Sequence, residues 1–520
     1  MSIISLKDMK NLAVANGLNV KSYASQAIAG GESALSRVAR YARRLPGVER
    51  CLLLVPEAGS GNGGGGPDAR APGYELQTVK AGGLEGLLRS LRSAGSGYDN
   101  LFYFFADCPL LDASLSAGML ENHRKYYADY TFADGYPYGL SPEILKTSIL
   151  EPLLELAQKS QPALGEEPLR ADDRHALFEL IKKDINAFDI ETELSPVDLR
   201  MLRAELSADS RRNLLLLQRV VQAGAENAGS VCRLLEEQPQ LLRTLPAFFN
   251  IQIVAGCPQL CSYCSYPRFE IRETGKKSQM ELREFAGMLE KIHSFCGEAT
   301  LSVSLWGEPA YHSEFAELAA AALEKRFRLI VETSGIGWQE GVFAHLAGKS
   351  LPGLDWIVSL DSADPATYRS LRGEGFEEAN RAVQTLQSLF PGHVYPHAVR
   401  MKENEEGLES FYRHWKSQLG KAIVQKYDHF CGYLPDERVT DLSPLKRFPC
   451  WHLKRDVVIL LDGTVSLCRE DVLRKHRLGN ILEQDLEEIW AAGEPFYQAH
   501  VQQRYPDICK NCDEYYTFNF

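Results

Sequence analysis

The stretch Gly256-Cys257-Pro258-Gln259-Leu260-Cys261-Ser262-Tyr263-Cys264 sets three cysteines at a C-x3-C-x2-C spacing. It follows an apolar run, Phe248 to Val254, that reads as a strand, so the thiols fall on a loop at a strand end. Three soft thiolates can hold three irons of a [4Fe–4S] cluster and leave the fourth iron open to a small molecule. A zinc knuckle is the alternative. Structural zinc takes four ligands, however, and no fourth Cys or His follows closely. The next candidates, His293 and Cys296, fall in a helical-looking segment. The spacing favours iron and sulfur.

Such a site needs a reducing surrounding or a protected one. The first twenty residues contain Lys and Asp and no long apolar core, so they do not read as a signal peptide. No apolar run approaches the roughly 18 residues of a membrane span. A cytoplasmic protein is expected, and there clustered cysteines more often bind metal than form disulfides. A net charge of −12 argues against wholesale nucleic-acid binding. With 520 residues, the chain is expected to form two to four domains.

Ahead of the cysteine loop the first 30 residues show no strong strand. Ser33 to Arg44 reads as an amphipathic helix, and Cys51 to Val55 as a buried strand ended by Pro56. The glycine-rich segment Gly59–Pro67 lacks the Lys-Ser/Thr and helix start of a phosphate loop and reads as a flexible loop. A second buried strand, Leu101 to Ala106, ends in Asp107-Cys108-Pro109-Leu110-Leu111-Asp112, with a helix over about Ser114–Ala128. An acidic residue at the carboxyl end of such a strand sits where ligands and divalent metals bind; an N-cap is the simpler role for Asp112. Phe105 to Leu110, Asp134 to Leu140 and the stretch Asn186 to Arg200 resemble the cytidylyltransferases that activate acidic sugars, within the nucleotide-sugar transferase fold. The resemblance covers about residues 30–220. The family's opening strand and basic triphosphate loop are not evident. Ala29-Gly30-Gly31-Glu32-Ser33 is the nearest candidate and carries no Lys or Arg, so cytidylyl transfer is expected to be lost and binding or packing retained. Ser207 to Pro246 reads as a helical connector.

After the cysteine loop strands and helices alternate, which implies a parallel sheet with its chemistry at the carboxyl ends of the strands. Strands are expected at 301–306, 329–332, 356–361, 393–401 and 422–427, and helices at 281–296 and 315–325. Residues 247–435 resemble the core of a radical S-adenosylmethionine (SAM) enzyme, a partial (β/α)6 barrel. Tyr263 takes the aromatic position before the last cysteine. Gly307-Glu308-Pro309 is similar to the family's "GGEP" turn with Trp306 in place of the first glycine. Ser359 and Asp361 match the fourth-strand motif, and Arg372-Gly373 the "RG" beyond it. The resemblance implies that Gly307, Glu308 and Pro309 meet the SAM amino group. It implies also that Ser334, Ser359, Asp361 and Arg372 line its ribose and carboxylate side.

The last cysteines, Cys450, Cys468, Cys509 and Cys512, are spaced C-x17-C-x40-C-x2-C. Spacing alone permits zinc or one [4Fe–4S] cluster. Strands at 456–461 and 465–468 flank Asp462-Gly463-Thr464, a hairpin signal, and a helix is expected over 484–492. Cys450…Gly463-x4-Cys468 resembles the opening of the SPASM extension of radical SAM enzymes, here in the shortened "twitch" form. That resemblance implies one auxiliary cluster with no open iron, suited to accepting an electron. Cys431 reads as an ordinary core cysteine that could substitute for one of the four. Cys51, Cys108 and Cys232 read as buried or incidental. Trp338, Trp415, Trp451 and Trp490 read as core filler, and Lys402 to Glu406 as a solvated loop.

The expected fold class is α/β: a Rossmann-like nucleotidyltransferase domain at 1–225, a helical linker at 226–246, a partial (β/α)6 barrel at 247–445 and a cysteine-rich α+β extension at 446–520. The implied activity is reductive cleavage of SAM to a 5′-deoxyadenosyl radical that removes a substrate hydrogen, for oxidative modification of a sugar- or nucleotide-linked substrate. A peptide- or protein-modifying maturase is the first alternative. A nucleotidyltransferase or nucleotide-sugar binding protein with a structural metal in its carboxyl-terminal half is the second. The implied partners are a small-molecule or peptide substrate and an electron donor such as flavodoxin or ferredoxin, with no nucleic acid and no membrane span.

Overall fold

The computed structural model describes residues 9–57, 73–80, 83–160, 162, 164–165, 167–266 and 278–517. The glycine-rich Gly59–Pro67 segment lies outside them. The chain divides into two units, 1–162 with 168–244, and 163–167 with 245–520.

The amino-terminal unit is built on a seven-stranded sheet and a small hairpin. Its strands are β1 (Asn11–Asn16), the hairpin pair β2 (Ala27–Ala29) and β3 (Glu32–Ser33), then β4 (Val48–Pro56), β5 (Glu75–Val79), β6 (Asn100–Phe105), β7 (Tyr130–Asp134), β8 (Glu143–Lys146) and β9 (Ile190–Leu194). The sheet order is β5-β4-β1-β6-β8-β7-β9. Only β8 runs against its neighbours. The expectation of no strand in the first 30 residues is therefore corrected: β1 lies inside the sheet, between β4 and β6, with all six residues buried. Its end residues hide the strand from a hydropathy reading because both are asparagines. Asn11 Nδ2 donates to Pro46 O at 2.8 Å, and Asn16 Nδ2 to the Tyr103 hydroxyl at 2.7 Å. Buried amides are tolerated when paired in this way. Gly30 and Gly31, both at positive φ, form the β2–β3 turn, where Glu32 is engaged by Arg37 and Arg40. Ser33 then caps the helix Ala34–Ala42 by accepting from Ser36 N.

The second unit carries a nine-stranded sheet. Its strands are β10 (Phe248–Ile251), β11 (Thr300–Ser302), β12 (Arg328–Thr333), β13 (Leu354–Ser359), β14 (Val394–Arg400), β15 (Ile423–Lys426), β16 (Asp456–Ile459), β17 (Thr464–Ser466) and β18 (Arg477–Asn480). Strands β10 to β15 pair in sequence order, all parallel. This is the partial barrel. On its other edge β10 pairs in parallel with β16, which opens an antiparallel β16–β17–β18 meander. Helices Leu282–Cys296, Phe315–Glu324, Phe376–Leu389 and Glu405–Leu419 fill the crossovers. The expected strand at 301–306 is cut to three residues. Ser304 keeps only a bridge to Gln252, and Trp306 turns the chain at φ +44°. Trp338 and Trp415 do pack as filler. Trp338 sits edge-on to Phe315 and to Trp356, whose side chain is fully buried.

Candidate functional site

The cysteine loop leaves β10 and is tied down at both ends. Gly256 N donates to the Tyr266 hydroxyl at 2.6 Å, and Gly256 O accepts from Glu308 N at 2.8 Å. Leu260 N and Ser262 N donate to the carbonyls of Arg372 and Leu371. Beneath the loop lies a buried polar knot. The Tyr263 hydroxyl donates to Asp361 Oδ2 at 2.5 Å, and Arg372 Nη1 donates to the same oxygen at 2.7 Å. Arg372 Nε also reaches Gln259 Oε1 at 3.2 Å, as does the Tyr368 hydroxyl at 3.3 Å. Asp361 is 0% and Arg372 5% exposed in the side chain. Asp361 adopts φ +63°, a costly conformation for a non-glycine residue. It is fixed there because Oδ1 accepts from Val399 N at 2.7 Å and its carbonyl accepts from Asn404 Nδ2. Gln259, Tyr368 and Asn404 carry no signal in the sequence; they are ordinary polar residues until the fold stacks them under the loop.

The Trp306-Gly307-Glu308-Pro309 turn follows β11. Gly307 has φ +131°, and a Cβ there would lie 2.3 Å from Val254 O, so only glycine fits. Glu308 is buried. Its carboxylate accepts from Ser334 N at 2.7 Å and from the Thr333 hydroxyl, which binds the turn to the end of β12. Burial pushes its carboxyl up, against the pull of those hydrogen bonds.

Ser359 stands apart from this group. Its hydroxyl lies 3.3 Å from both Glu332 Oε1 and His397 Nδ1, and His397 Nε2 is 2.9 Å from Gln425 Oε1. Glu332, His397 and Gln425, with Asn250, Ser302 and Ser304, line a cavity of about 160 Å³ inside the barrel strands. Tyr263, Cys264, Trp306 and Phe430 border the same cavity. It therefore runs from the cysteine loop to the segment that follows β15.

The three loop thiols are half-buried, and burial pushes Cys257 and Cys264 up to about 12 and raises Cys261. Bare thiols here stay protonated; a bound metal would hold them as thiolates. Three sulfurs on one loop fit a cluster with one open iron.

The second cysteine set is assembled from distant segments. Cys450 precedes the helix Trp451–Arg455, Cys468 follows β17, and Cys509 and Cys512 come from the last helix and its end. All four line one cavity with His452, Glu470 and His500. Burial raises Cys450, Cys468 and Cys509, each further raised by neighbouring thiols of the set. Four thiols in one enclosure fit a cluster with complete protein ligation. Cys431 also lines this cavity, which corrects its reading as ordinary core filler. Beside it Lys426 pairs with Asp513 and Glu514, and Arg469 with Asp428, so this buried acidic group has its own cations.

In the amino-terminal unit Asp107 follows β6 and is held by Arg174, whose Nη1 and Nη2 lie 3.1 and 2.8 Å from its carboxylate oxygens. Arg174 also binds Asp209 and lies over the rings of Phe105 and Tyr138. Arg174, Phe105 and Tyr138 border a cavity of about 270 Å³ lined also by Tyr103, Tyr130, Phe132, Phe178 and Glu143. Burial pushes the Glu143 carboxyl up to about 8. Asp112 is an N-cap, as its position suggested: it accepts from Ser114 N and Leu115 N, and its other oxygen accepts from Ala228 N.

No helix among the described residues is long and apolar enough to cross a membrane. The family model of the radical SAM superfamily matches residues 251–414, and that of SPASM, an iron–sulfur cluster-binding domain, matches residues 450–513. An uncharacterised protein of Treponema pallidum (strain Nichols) is 39% identical over 360 residues, covering 66% of this chain and 98% of its own. A second uncharacterised protein of that organism is 38% identical over 64 residues, 12% of this chain and 29% of its own. Among solved structures, Streptococcus suis SuiB matches with TM-score 0.39 and 13% identity, covering 56% of this chain and 80% of its own. BtrN, solved with AdoMet and 2-DOIA, matches with TM-score 0.35 and 19% identity, covering 52% of this chain and 94% of its own. The chain belongs to the radical SAM superfamily, whose members are enzymes that bind SAM and a [4Fe–4S] cluster, and it carries a SPASM iron–sulfur domain at residues 450–513.

Proposed function

We propose that this enzyme oxidises a small hydroxylated substrate, a sugar or a nucleotide-linked sugar, held inside the barrel. The observation that carries this reading is the polar lining of the 160 Å³ barrel cavity: Asn250, Ser302, Ser304, Glu332, His397 and Gln425 all present hydrogen-bonding groups to it. A lining of this kind matches a polyol better than an apolar side chain, because hydroxyls can exchange hydrogen bonds with it and an apolar group cannot.

Cys257, Cys261 and Cys264 hold the catalytic cluster, and Cys450, Cys468, Cys509 and Cys512 the auxiliary one. With SAM bound, the catalytic cluster would supply radical hydrogen-atom abstraction from the substrate, and the auxiliary cluster would accept the second electron of the oxidation. The chain's own residues set where that happens. Tyr263, Asp361 and Arg372 position the loop from beneath; the Arg372 charge is already matched by Asp361, so its part is support. Gly307, Glu308, Pro309 and Ser334 shape the turn that would receive SAM. Ser359 belongs to the substrate layer through Glu332 and His397. A flavodoxin or ferredoxin supplies the electron.

The amino-terminal unit serves binding and not nucleotidyl transfer. Its sheet order turns at β1 and β6, where ligands of such sheets bind, and Asp107 lies just there. Arg174 is already neutralised by Asp107 and Asp209, which leaves little charge for a triphosphate.

The test is anaerobic reconstitution with SAM and a chemical reductant, assaying 5′-deoxyadenosine. Sugars and nucleotide sugars deuterated at carbinol carbons are expected to speed its formation and to transfer deuterium into it. Acceleration by peptides alone would replace this reading with the maturase. Pyrophosphate release from CTP by the full chain would revive the transferase.

A further inference from the structure

The segment after β15 has an unusual backbone. Phe430, Cys431 and Gly432 have φ of +48°, +56° and +90°, so two successive non-glycine residues are left-handed. Such residues are unfavourable unless their surroundings impose the conformation. Here they do. Phe430 N donates to Asp428 Oδ1 at 2.7 Å, and Gly432 N to His429 Nδ1 at 2.8 Å. Asp428 is held by Arg469 at 2.8 Å, next in sequence to Cys468, and His429 lies 3.2 Å from Asp513, next to Cys512. The anchors of the strained segment are thus neighbours of two of the auxiliary cysteines.

The strain has a specific result. Phe430 lines the barrel cavity, while Cys431 lines the cavity of the four cysteines. Cys431 shares that cavity with Cys512, Cys468 and Glu470. Glu470, on the same cavity, is 4% exposed, and its Oε2 has no hydrogen-bond partner among the described residues. Core filler would need neither the left-handed backbone nor a place beside a ligand set. A [4Fe–4S] cluster takes four thiolates, and this enclosure offers five.

We propose that Cys431 is an alternate ligand of the auxiliary cluster, able to take the iron otherwise held by Cys512. The exchange is a ligand substitution with no net oxidation: Cys431 gives up its proton on binding, and the released Cys512 thiolate takes one up. The segment that carries Cys431 also forms part of the barrel cavity wall through Phe430. The proposal rests on the auxiliary-cluster reading above.

The experiment uses the full chain with Cys257, Cys261 and Cys264 all changed to Ala, so that only the auxiliary site binds iron. Cys431→Ala, Cys512→Ala, the double variant and Cys509→Ala are reconstituted anaerobically. Iron per chain, visible absorption and EPR of the reduced protein are read, with far-UV circular dichroism to establish folding. The two single variants are expected to keep about four irons each, with Cys512→Ala showing a shifted EPR signal. The double variant and Cys509→Ala are expected to lose most of that iron or to retain a three-iron form. Equal loss in Cys512→Ala and Cys509→Ala would overturn the proposal. So would a double variant that matches Cys512→Ala in iron and EPR. Zinc in place of iron in the parent would overturn the cluster reading, and this proposal with it.

Discussion

Each unit places an aspartate–arginine pair near the carboxyl end of a parallel strand, and the two pairs are used differently. In the barrel unit Asp361 and Arg372 are 0% and 5% exposed and are closed over by Tyr263. The pair has no surface to offer a ligand; it is a buttress for the loop above it. In the amino-terminal unit Arg174 is 23% exposed and lies against two aromatic rings on a cavity wall, with Asp107 and Asp209 behind it. There the arginine is part of a lining. The same two side chain types make a foundation when sealed and, when left partly wet, put the arginine on a cavity wall.

The comparison can be broken by mutation, most sharply at the sealed pair. Asp361→Ala leaves a buried guanidinium unpaired and is expected to cost about 3–5 kcal/mol. Hydrogen exchange in β13 and β14 would read this locally, which suits a protein with two units. Adding Arg372→Met is expected to recover more than half of the loss, because an apolar replacement removes the stranded charge. Arg174→Met is expected to cost less, about 1–3 kcal/mol, read in β6. A cost equal to that of Asp361→Ala would mean that the two pairs are equivalent after all.

Glu143 gives a pH test of the same contrast. Its folded pKa, about 8, is raised above that of an unfolded glutamate, so the folded state binds the extra proton. Stability of the amino-terminal unit is therefore expected to fall as pH rises from the ordinary glutamate range to about 8, then level off. Glu143→Gln is expected to flatten that slope in melting temperature measured against pH; an unchanged slope would show that the carboxyl is solvated. The smallest effect is expected for Tyr263→Phe, about 1 kcal/mol in hydrogen exchange at β13, since Asp361 keeps Arg372.

What could be read from the sequence follows the range of the interactions. The loop thiols lie within eight residues of one another and the hairpin at Asp462-Gly463 is local, so spacing and turn chemistry were sufficient. Strand β1 escaped because its ends are asparagines whose partners, Tyr103 among them, lie far along the chain. The strand expected to reach Trp306 was overlong because apolar residues beyond Ser302 serve a turn and a cavity wall instead. Cys431 was visible only as a possible substitute; nothing local reveals that a left-handed backbone places it on the cavity of the four cysteines. Ser359 and Asp361 look like one motif, yet the backbone turn at Asp361 sends one toward Glu332 and His397 and the other beneath the loop.

The parallel pairing of β10 with β16 joins the strand that launches the cysteine loop to the first strand of the SPASM segment. The two cofactor modules are consequently not interchangeable parts on a tether. Cutting the chain before β16 would bare the backbone of β10 along a hydrophobic edge, inviting other chains to add themselves there. For anyone recombining such modules, the seam lies inside a sheet, and a graft must bring its own matching strand.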